Sequence, residues 1–253
     1  MRLLLLTLLV PVCAMAQVRP VTLGWSDASE RVCLYGRSCS VKDWSVSANS
    51  PTNAGVALGN GVFDFTPAGT VYVWLGAWQS PSFLGSAKNG VSISFWIKYN
   101  STSAVRFGTQ RTSTSSAMSF RLNITSAGAN AGGTMSLVLR DEANQLTTAG
   151  ANSDSGWNNG AWHHIAVNGQ PPSNIVFFVD GKPQATTYAS QNATGSFSDQ
   201  THAYAWRMLA FVDEVTVMTT PLSGGTTDVF RVFNRILTTN EVALLYESEK
   251  PNH

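Results

Sequence analysis

Two adjacent carboxylate pairs, Asp141-Glu142 and Asp213-Glu214, are the first candidates for chemistry in this chain. Glycoside hydrolysis needs two carboxyl groups facing each other at about 5 to 9 Å. Neighbouring residues on a β-strand point to opposite faces, so neither pair supplies that arrangement. The spacing Glu-x-Asp-x-Glu, which would place three carboxylates on one face of a strand, does not occur. The acidic residues therefore do not favour a hydrolase.

His163 and His164, next to Trp162, are the candidates for the base of a polysaccharide lyase. They lie in an otherwise apolar run, where a histidine is more often a hydrogen-bonded structural residue, so we favour the structural role. The sequence contains no Gly-x-Ser-x-Gly, no phosphate-binding or dinucleotide-binding glycine motif, and no His-Glu-x-x-His or EF-hand pattern. We predict no catalytic residue and no enzymatic activity.

Tryptophans in loop-like surroundings suit sugar recognition, because an indole packs against the apolar face of a pyranose while amides bind its hydroxyls. Trp157 has Asn158 and Asn159 beside it, and Trp78 lies between Gly76 and Pro81. The predicted ligand-binding residues are therefore Trp157, Asn158, Asn159 and Trp78. The alternative for either loop tryptophan is a ring folded back onto the core, which is the commoner arrangement. The tryptophans inside apparent strands are predicted to be core: Trp74, Trp96, Trp162 and Trp206.

The first 16 residues have the features of a secretory signal peptide. Arg2 precedes a short apolar run from Leu3 to Val10, and Ala14-Met-Ala16 offers a cleavage site. The run is too short to span a bilayer, and no other run approaches that length. The sequence therefore predicts a secreted, extracellular protein, located in the periplasm or at the cell surface if the host is a bacterium.

The charge and the cysteines of the processed chain restrict its partners and its redox state. Removing Arg2 takes the formal charge from +1 to zero, and 12% of all residues are charged. Lys and Arg do not cluster along the sequence, so a nucleic acid partner is not predicted. Cys33 and Cys39 remain, and such a close pair in an oxidising compartment predicts a disulfide. Three glycosylation sequons, at Asn100, Asn123 and Asn192, matter only in a eukaryotic host.

The pattern of apolar residues indicates short strands and one helix. Val91 to Ile97 alternates in hydrophobicity, and Ile175 to Val179 is apolar throughout, as in a strand buried on both faces. Asp180-Gly181 predicts a type I′ hairpin turn, with 182–188 as the returning strand. Thr238-Thr-Asn-Glu241 is a capping box that begins a helix. Further strands are predicted at 62–65, 71–75, 104–107, 118–124, 135–139, 162–167, 205–212, 214–218 and 229–233.

Four segments together resemble the laminin-G-like/pentraxin-like jelly-roll domains of the concanavalin A-like lectin/glucanase superfamily. They are Ser94-Phe-Trp-Ile-Lys98, Trp162-His-His-Ile-Ala-Val167, Phe178-Val-Asp-Gly-Lys182 and 228–237 with Glu241. The resemblance implies an all-β, two-sheet antiparallel sandwich with a short C-terminal helix. It also implies binding of glycans or protein surfaces, in some members through a Ca²⁺ ion at the rim.

The sequence departs from this family where a metal would be held. The family's tandem acidic residues before the final strand are reduced to one carboxylate, in Gly225-Thr-Thr-Asp228. Asp154 and Asp228 could contribute to a rim Ca²⁺, although a turn or capping role is commoner for each. No cofactor is certain, and the metal ligands remain unknown.

The sequence predicts a signal peptide at 1–16, an N-terminal segment with the disulfide at 17–53, and the sandwich at 54–250. The predicted function is that of a non-catalytic module that binds a carbohydrate or glycoconjugate, with a glycan or glycoprotein surface as partner. One alternative is a structural or adhesive surface protein that engages proteins or copies of itself. A glycan-active hydrolase or lyase is the least favoured alternative.

Overall fold

The computed structural model describes most of the predicted sandwich. The described residues are 30–34, 52–54, 57–58, 62–64, 72–78, 90–99, 105–110, 120–126, 133–140, 145–153, 157–170, 173–192, 204–208 and 225–250.

The described strands form two eight-stranded antiparallel sheets. Sheet A has the order β13-β12-β11-β6-β16-β4-β3, and β1 also pairs with β16. Its strands are β1 (Glu30–Leu34), β3 (Ala57–Leu58), β4 (Phe63–Asp64), β6 (Val91–Lys98), β11 (Trp162–Gln170), β12 (Asn174–Val179), β13 (Lys182–Gln184) and β16 (Thr226–Phe233).

Sheet B has the order β14-β10-β9-β8-β7-β15-β5-β2. Its strands are β2 (Thr52–Ala54), β5 (Tyr72–Trp78), β7 (Val105–Gln110), β8 (Phe120–Ser126), β9 (Gly133–Arg140), β10 (Leu146–Ser153), β14 (Thr187–Gln191) and β15 (Tyr204–Met208). The predicted strand at 214–218 lies outside the described residues. The two-sheet antiparallel jelly-roll sandwich with one short helix is the predicted fold.

The core lies between the sheets and follows the predicted alternation. In β6, the side chains of Val91, Ile93, Phe95 and Ile97 are 0% exposed. Gly169 of β11 is where the sheets approach closely, because a Cβ there would lie 2.7 Å from Leu137 Cδ2 of β9. A Cβ at position 169 would force the Leu137 side chain to shift, so glycine suits this close approach of the sheets.

The second face of sheet A is covered by helix α1, which spans Thr239–Glu249. Its capping box is present as predicted, since Thr238 Oγ1 accepts the Glu241 N–H and the Glu241 carboxylate accepts the Thr238 N–H. The buried contact joins α1 to three strands and comprises Ala166, Phe178, Phe233, Leu237, Val242 and Leu245. Burial on both sides explains why the Ile175–Val179 part of β12 is apolar throughout.

The hairpin between β12 and β13 turns at Asp180 and Gly181, whose φ angles are +49° and +74°. Positive φ at both central residues is the requirement of the predicted type I′ turn. A Cβ at Gly181 would lie 3.3 Å from Ala243 Cα, so α1 passes directly over the turn.

Three parts of the sandwich differ from the sequence-based expectation. β1 and the first two residues of β2 lie in the predicted N-terminal segment 17–53, yet these strands pair with β16 and β5. The returning strand at 182–188 is instead two strands, with β13 in sheet A and β14 in sheet B. β10 was not predicted, because its inward residues Thr147, Ala149 and Ala151 are small and give no apolar pattern.

Candidate functional site

The predicted sugar platform at Trp157 is buried. Its ring is 0% exposed and stacks on Tyr99, with centroids 6.3 Å apart and an interplanar angle of 14°. The Gly160 N–H donates to the Tyr99 carbonyl at 3.0 Å, which holds the 157–160 segment against the end of β6. Asn158 is also 0% exposed, and only Asn159 is exposed. Trp157 and Asn158 as surface ligand-binding residues are therefore wrong, and the alternative of a ring folded onto the core is correct.

Asn159 and His163 belong to a hydrogen-bonded group at the end of β11. Asn159 Oδ1 accepts the Ala161 N–H at 2.8 Å and lies 3.2 Å from His163 Nε2. The other ring nitrogen, His163 Nδ1, lies 2.9 Å from Asp180 Oδ2. Both ring nitrogens of His163 are therefore within hydrogen-bonding distance of a side-chain oxygen.

Asp180 joins this group to the hairpin turn. Its Oδ1 accepts the His164 N–H at 3.0 Å, while Oδ2 faces His163. Burial would raise the pKa of Asp180, but the hydrogen bonds from the His163 side chain and the His164 backbone and the two histidine charges outweigh burial and lower it. The carboxylate is thereby kept ionised at the turn.

His164 and the ionic residues of sheet A are enclosed beneath α1. His164 is 0% exposed, and its Nε2 lies 2.8 Å from Ser94 Oγ. Glu249 Oε1 accepts from Arg231 Nη2 at 2.8 Å, and Glu249 Oε2 accepts from Trp96 Nε1 at 2.9 Å. Arg231 and Glu249 are 1% and 2% exposed. These groups fasten the helix to the sheet, and the structural role predicted for the histidines is what the geometry supports.

A second polar group anchors the segment that leads into α1. Ser92 Oγ lies 2.7 Å from Asn168 Oδ1 and accepts the Leu237 N–H at 3.0 Å. Asn168 Nδ2 donates to the Leu237 carbonyl at 2.6 Å. Buried polar groups need such partners, so we assign a structural role to this cluster as well.

The residues described here do not fit the rim Ca²⁺ that the fold family implies. Asp228 is 1% exposed, and its Oδ1 accepts the N–H of Val229 at 2.8 Å. Val229 has φ of +47°, which is rare for a β-branched residue, and lies in a bulge of β16 against β6. Asp228 thus supports a strained bulge. Among the described residues, no three His, Cys, Asp or Glu side chains group closely enough to hold a metal ion.

Several predicted site residues lie partly or wholly outside the described structure. Trp78 is the last residue of β5 and its backbone pairs with Tyr204. Its side chain lies outside the described structure, so its binding role stays a prediction. Cys33 lies in β1 opposite Arg231, but Cys39 is not among the described residues, and the disulfide stays a prediction. Asp154 is likewise outside them.

Sequence reasoning missed a difference in charge between the two sheets. As far as the structure describes them, the eight strands of sheet B contain four arginines and no Lys, Asp or Glu, whereas the strands of sheet A contain both signs. The four are Arg106, Arg121, Arg140 and Arg207. They are scattered along the sequence, so a search for consecutive basic residues does not find them, and strand pairing brings them together. In the described part of the chain, no helix is both long and apolar enough to cross a bilayer.

Two antiparallel sheets with a helix packed on one of them define a lectin-type β-sandwich. The chain belongs to the Laminin_G_3 family of the concanavalin A-like lectin/glucanases superfamily, which it matches over residues 50–243. No curated protein matches it significantly.

Solved structures of botulinum neurotoxin binding domains are similar in fold. That of serotype D/C VPI 5993 has a TM-score of 0.60 and 16% identity. Serotype DC in complex with rat synaptotagmin II and in complex with SialylT each give 0.60 and 15% identity. The likenesses cover 87% of this chain but 51% or 52% of those chains, so this chain spans about half their length. At such identity they show the fold alone.

Proposed function

We propose that the protein is a secreted, non-catalytic module that binds a glycan or glycoprotein. The observation that carries this proposal is membership of a lectin-type family over residues 50–243. The neurotoxin domains of similar fold include one solved with a protein receptor and one with SialylT, which supports a partner of this class. The fold by itself permits many functions, so the ligand has to come from the surface of this chain.

The described polar residues favour binding over catalysis. His163, His164 and Arg231 would be the candidates for a base or for a group that neutralises a sugar carboxylate. Each is held by a structural partner, Asp180, Ser94 or Glu249, and all three are at most 9% exposed. A group that is buried and already hydrogen-bonded cannot reach a polysaccharide without disrupting the sheet.

A glycan-array screen of residues 17–253, run with Ca²⁺ and again with EDTA, tests the proposal. We expect selective binding. Trp78→Ala should weaken it if Trp78 provides the sugar platform. Trp157→Ala should instead lower the free energy of unfolding by about 3 to 5 kcal/mol, because it empties a buried site. Trp157→Phe, which keeps an aromatic ring there, is the matched control.

The result with EDTA has a separate meaning. Loss of binding in EDTA would indicate a metal site among residues outside the described structure. Unchanged binding would agree with the finding that Asp228 supports the bulge of β16 and does not hold a metal ion. A blank array under both conditions would overturn the glycan proposal.

A second function, self-association or adhesion, is favoured by one edge of the sandwich. Among the described strands of sheet B, β14 is the outermost and carries neither charge nor proline, and Thr187, Ala189 and Gln191 are exposed. Unprotected edges of this kind can pair with another chain. The opposite case is β13 at the edge of sheet A, which carries Lys182 and Pro183. Sedimentation velocity over a range of concentrations distinguishes a monomer from an assembly.

A further inference from the structure

We propose that the face of sheet B turned away from sheet A binds sugars that carry a carboxylate or a sulfate, through Arg106, Arg121 and Arg207. This inference rests on the proposed glycan-binding function and names the class of ligand.

Strand pairing places the three arginines around one glycine. Gly108 of β7 is opposite Arg121 of β8 on one side and opposite Arg207 of β15 on the other. Neighbouring strands are about 4.8 Å apart, so the backbones of Arg121 and Arg207 are roughly 10 Å apart across Gly108. Arg106 is two residues from Gly108 on the same strand, at a diagonal distance of about 7 to 8 Å from each. The three positions form a compact triangle.

These positions share one face of the sheet, and the core occupies the other. Leu122 of β8 and Leu137 and Leu139 of β9 are 0% exposed, and the two β9 residues approach Gly169 of sheet A. Residues that alternate with them in the ladder, including Arg121, therefore lie on the opposite face. On that face Ser136, Thr148 and Gly150 are partly exposed, whereas Val138, opposite Arg121, is 8% exposed. Helix α1 packs on sheet A.

In the eight described strands of sheet B every charged residue is an arginine, and none is acidic. A guanidinium group binds a carboxylate or a sulfate through two parallel hydrogen bonds, so the complementary ligand is an anion. Gly108 contributes no side chain between the three arginine positions, and a glycine within a strand can mark a place where a ligand approaches the backbone. Arg140 is at the margin of this face and is followed directly by Asp141 and Glu142, so the proposal does not depend on it.

Neighbouring positions supply the other groups that sugar recognition uses. Trp74 of β5 is at the register position opposite Arg207. Asn123 of β8 is opposite Arg106. An aromatic ring and an amide next to arginines suit a charged sugar better than a nucleic acid duplex. The formal charge of +1 on the whole chain gives little long-range attraction to a polyanion.

The test uses the array with matched neutral, sialylated, uronic-acid-containing and sulfated glycans. We expect the acidic members to bind, with affinity that falls when NaCl is raised from about 50 mM to about 500 mM. Arg121→Gln and Arg207→Gln should each weaken binding about ten-fold. Lys182→Gln removes an exposed charge of the same sign from sheet A and should leave binding unchanged. Thermal unfolding of each variant shows whether it is folded.

The outcomes separate this inference from the function on which it rests. Binding of neutral glycans alone would overturn the inference and leave the proposed function standing. A blank array would overturn both. Acidic binding that survives both arginine substitutions would place the site elsewhere, and equal binding of a DNA duplex competitor would overturn the assignment to sugars. Gly108→Val, which suits a strand but adds a side chain between the three arginine positions, should abolish acidic binding in a folded protein.

Discussion

The contacts of His163 show that a residue type able to act as a general base has a structural role in this protein. Its two ring nitrogens face Asp180 and Asn159, and the Asn159 oxygen is oriented by the Ala161 N–H. A lyase base must exchange a proton with a bound sugar, which requires one nitrogen to be accessible. Here both are engaged, so the ring links the start of β11 to the hairpin turn.

The lowered pKa of Asp180 predicts an acid-sensitive contribution to stability. A carboxyl group whose folded pKa lies below its unfolded value, here 3.8, stabilises the fold above that pH and loses the contribution as the pH falls through the folded pKa. We expect Asp180→Asn to cost about 1 kcal/mol near neutral pH, because the group is only partly buried.

Urea unfolding of both proteins from about pH 7 to pH 2 measures this contribution. The difference between them should shrink as the pH falls below 3.8. Asn-Gly also favours a type I′ turn, so the variant preserves the turn geometry. A difference that does not change with pH would mean that the Asp180 charge does not stabilise the fold.

Helix α1 is the element that closes sheet A, and its last turn contains an ion pair that is almost inaccessible. Glu249 accepts from both Arg231 of β16 and Trp96 of β6, while Tyr246 stacks on Trp96 with centroids 5.7 Å apart. The helix is therefore attached by hydrophobic packing and by one buried carboxylate. Removing that carboxylate leaves the buried charge of Arg231 without its carboxylate partner.

Glu249→Ala should lower the free energy of unfolding by about 3 to 5 kcal/mol. Replacing both partners, Arg231→Met with Glu249→Met, should recover much of the loss, because a hydrophobic pair of similar volume avoids burying a charge. Glu247→Ala, at an exposed position of the same helix, is the control and should change stability by less than about 0.5 kcal/mol. Equal effects of Glu249→Ala and Glu247→Ala in urea unfolding would refute this role.

β1 and the first two residues of β2 precede the predicted start of the sandwich at residue 54. β1 pairs with the Phe230–Phe233 part of β16, and β2 pairs with Tyr72–Trp74 of β5. Both pairings cover strand edges that would otherwise be open. A boundary at residue 54 therefore cuts through the fold.

A chain that begins at residue 54 should fail to fold or should aggregate, because the edges of β16 and β5 would be exposed. A chain that begins at residue 28 keeps β1 and β2 and should behave as residues 17–253 do. Size-exclusion chromatography and circular dichroism compare the three. A monomeric, cooperatively unfolding chain from residue 54 would show that neither strand is needed.

The sequence by itself determined the features that depend on neighbours two to four residues apart. These are the alternation of β6, the Asp180-Gly181 turn, the Thr238 capping box and, through the ordered motifs, the sandwich family. Only the tertiary structure decided that Trp157 lies against Tyr99 and that Arg106, Arg121 and Arg207 surround Gly108. Local periodicity shows that a strand forms and which residues share a side, but it does not specify the partner strand or the register. Those depend on contacts between distant segments, and they set which scattered side chains become neighbours.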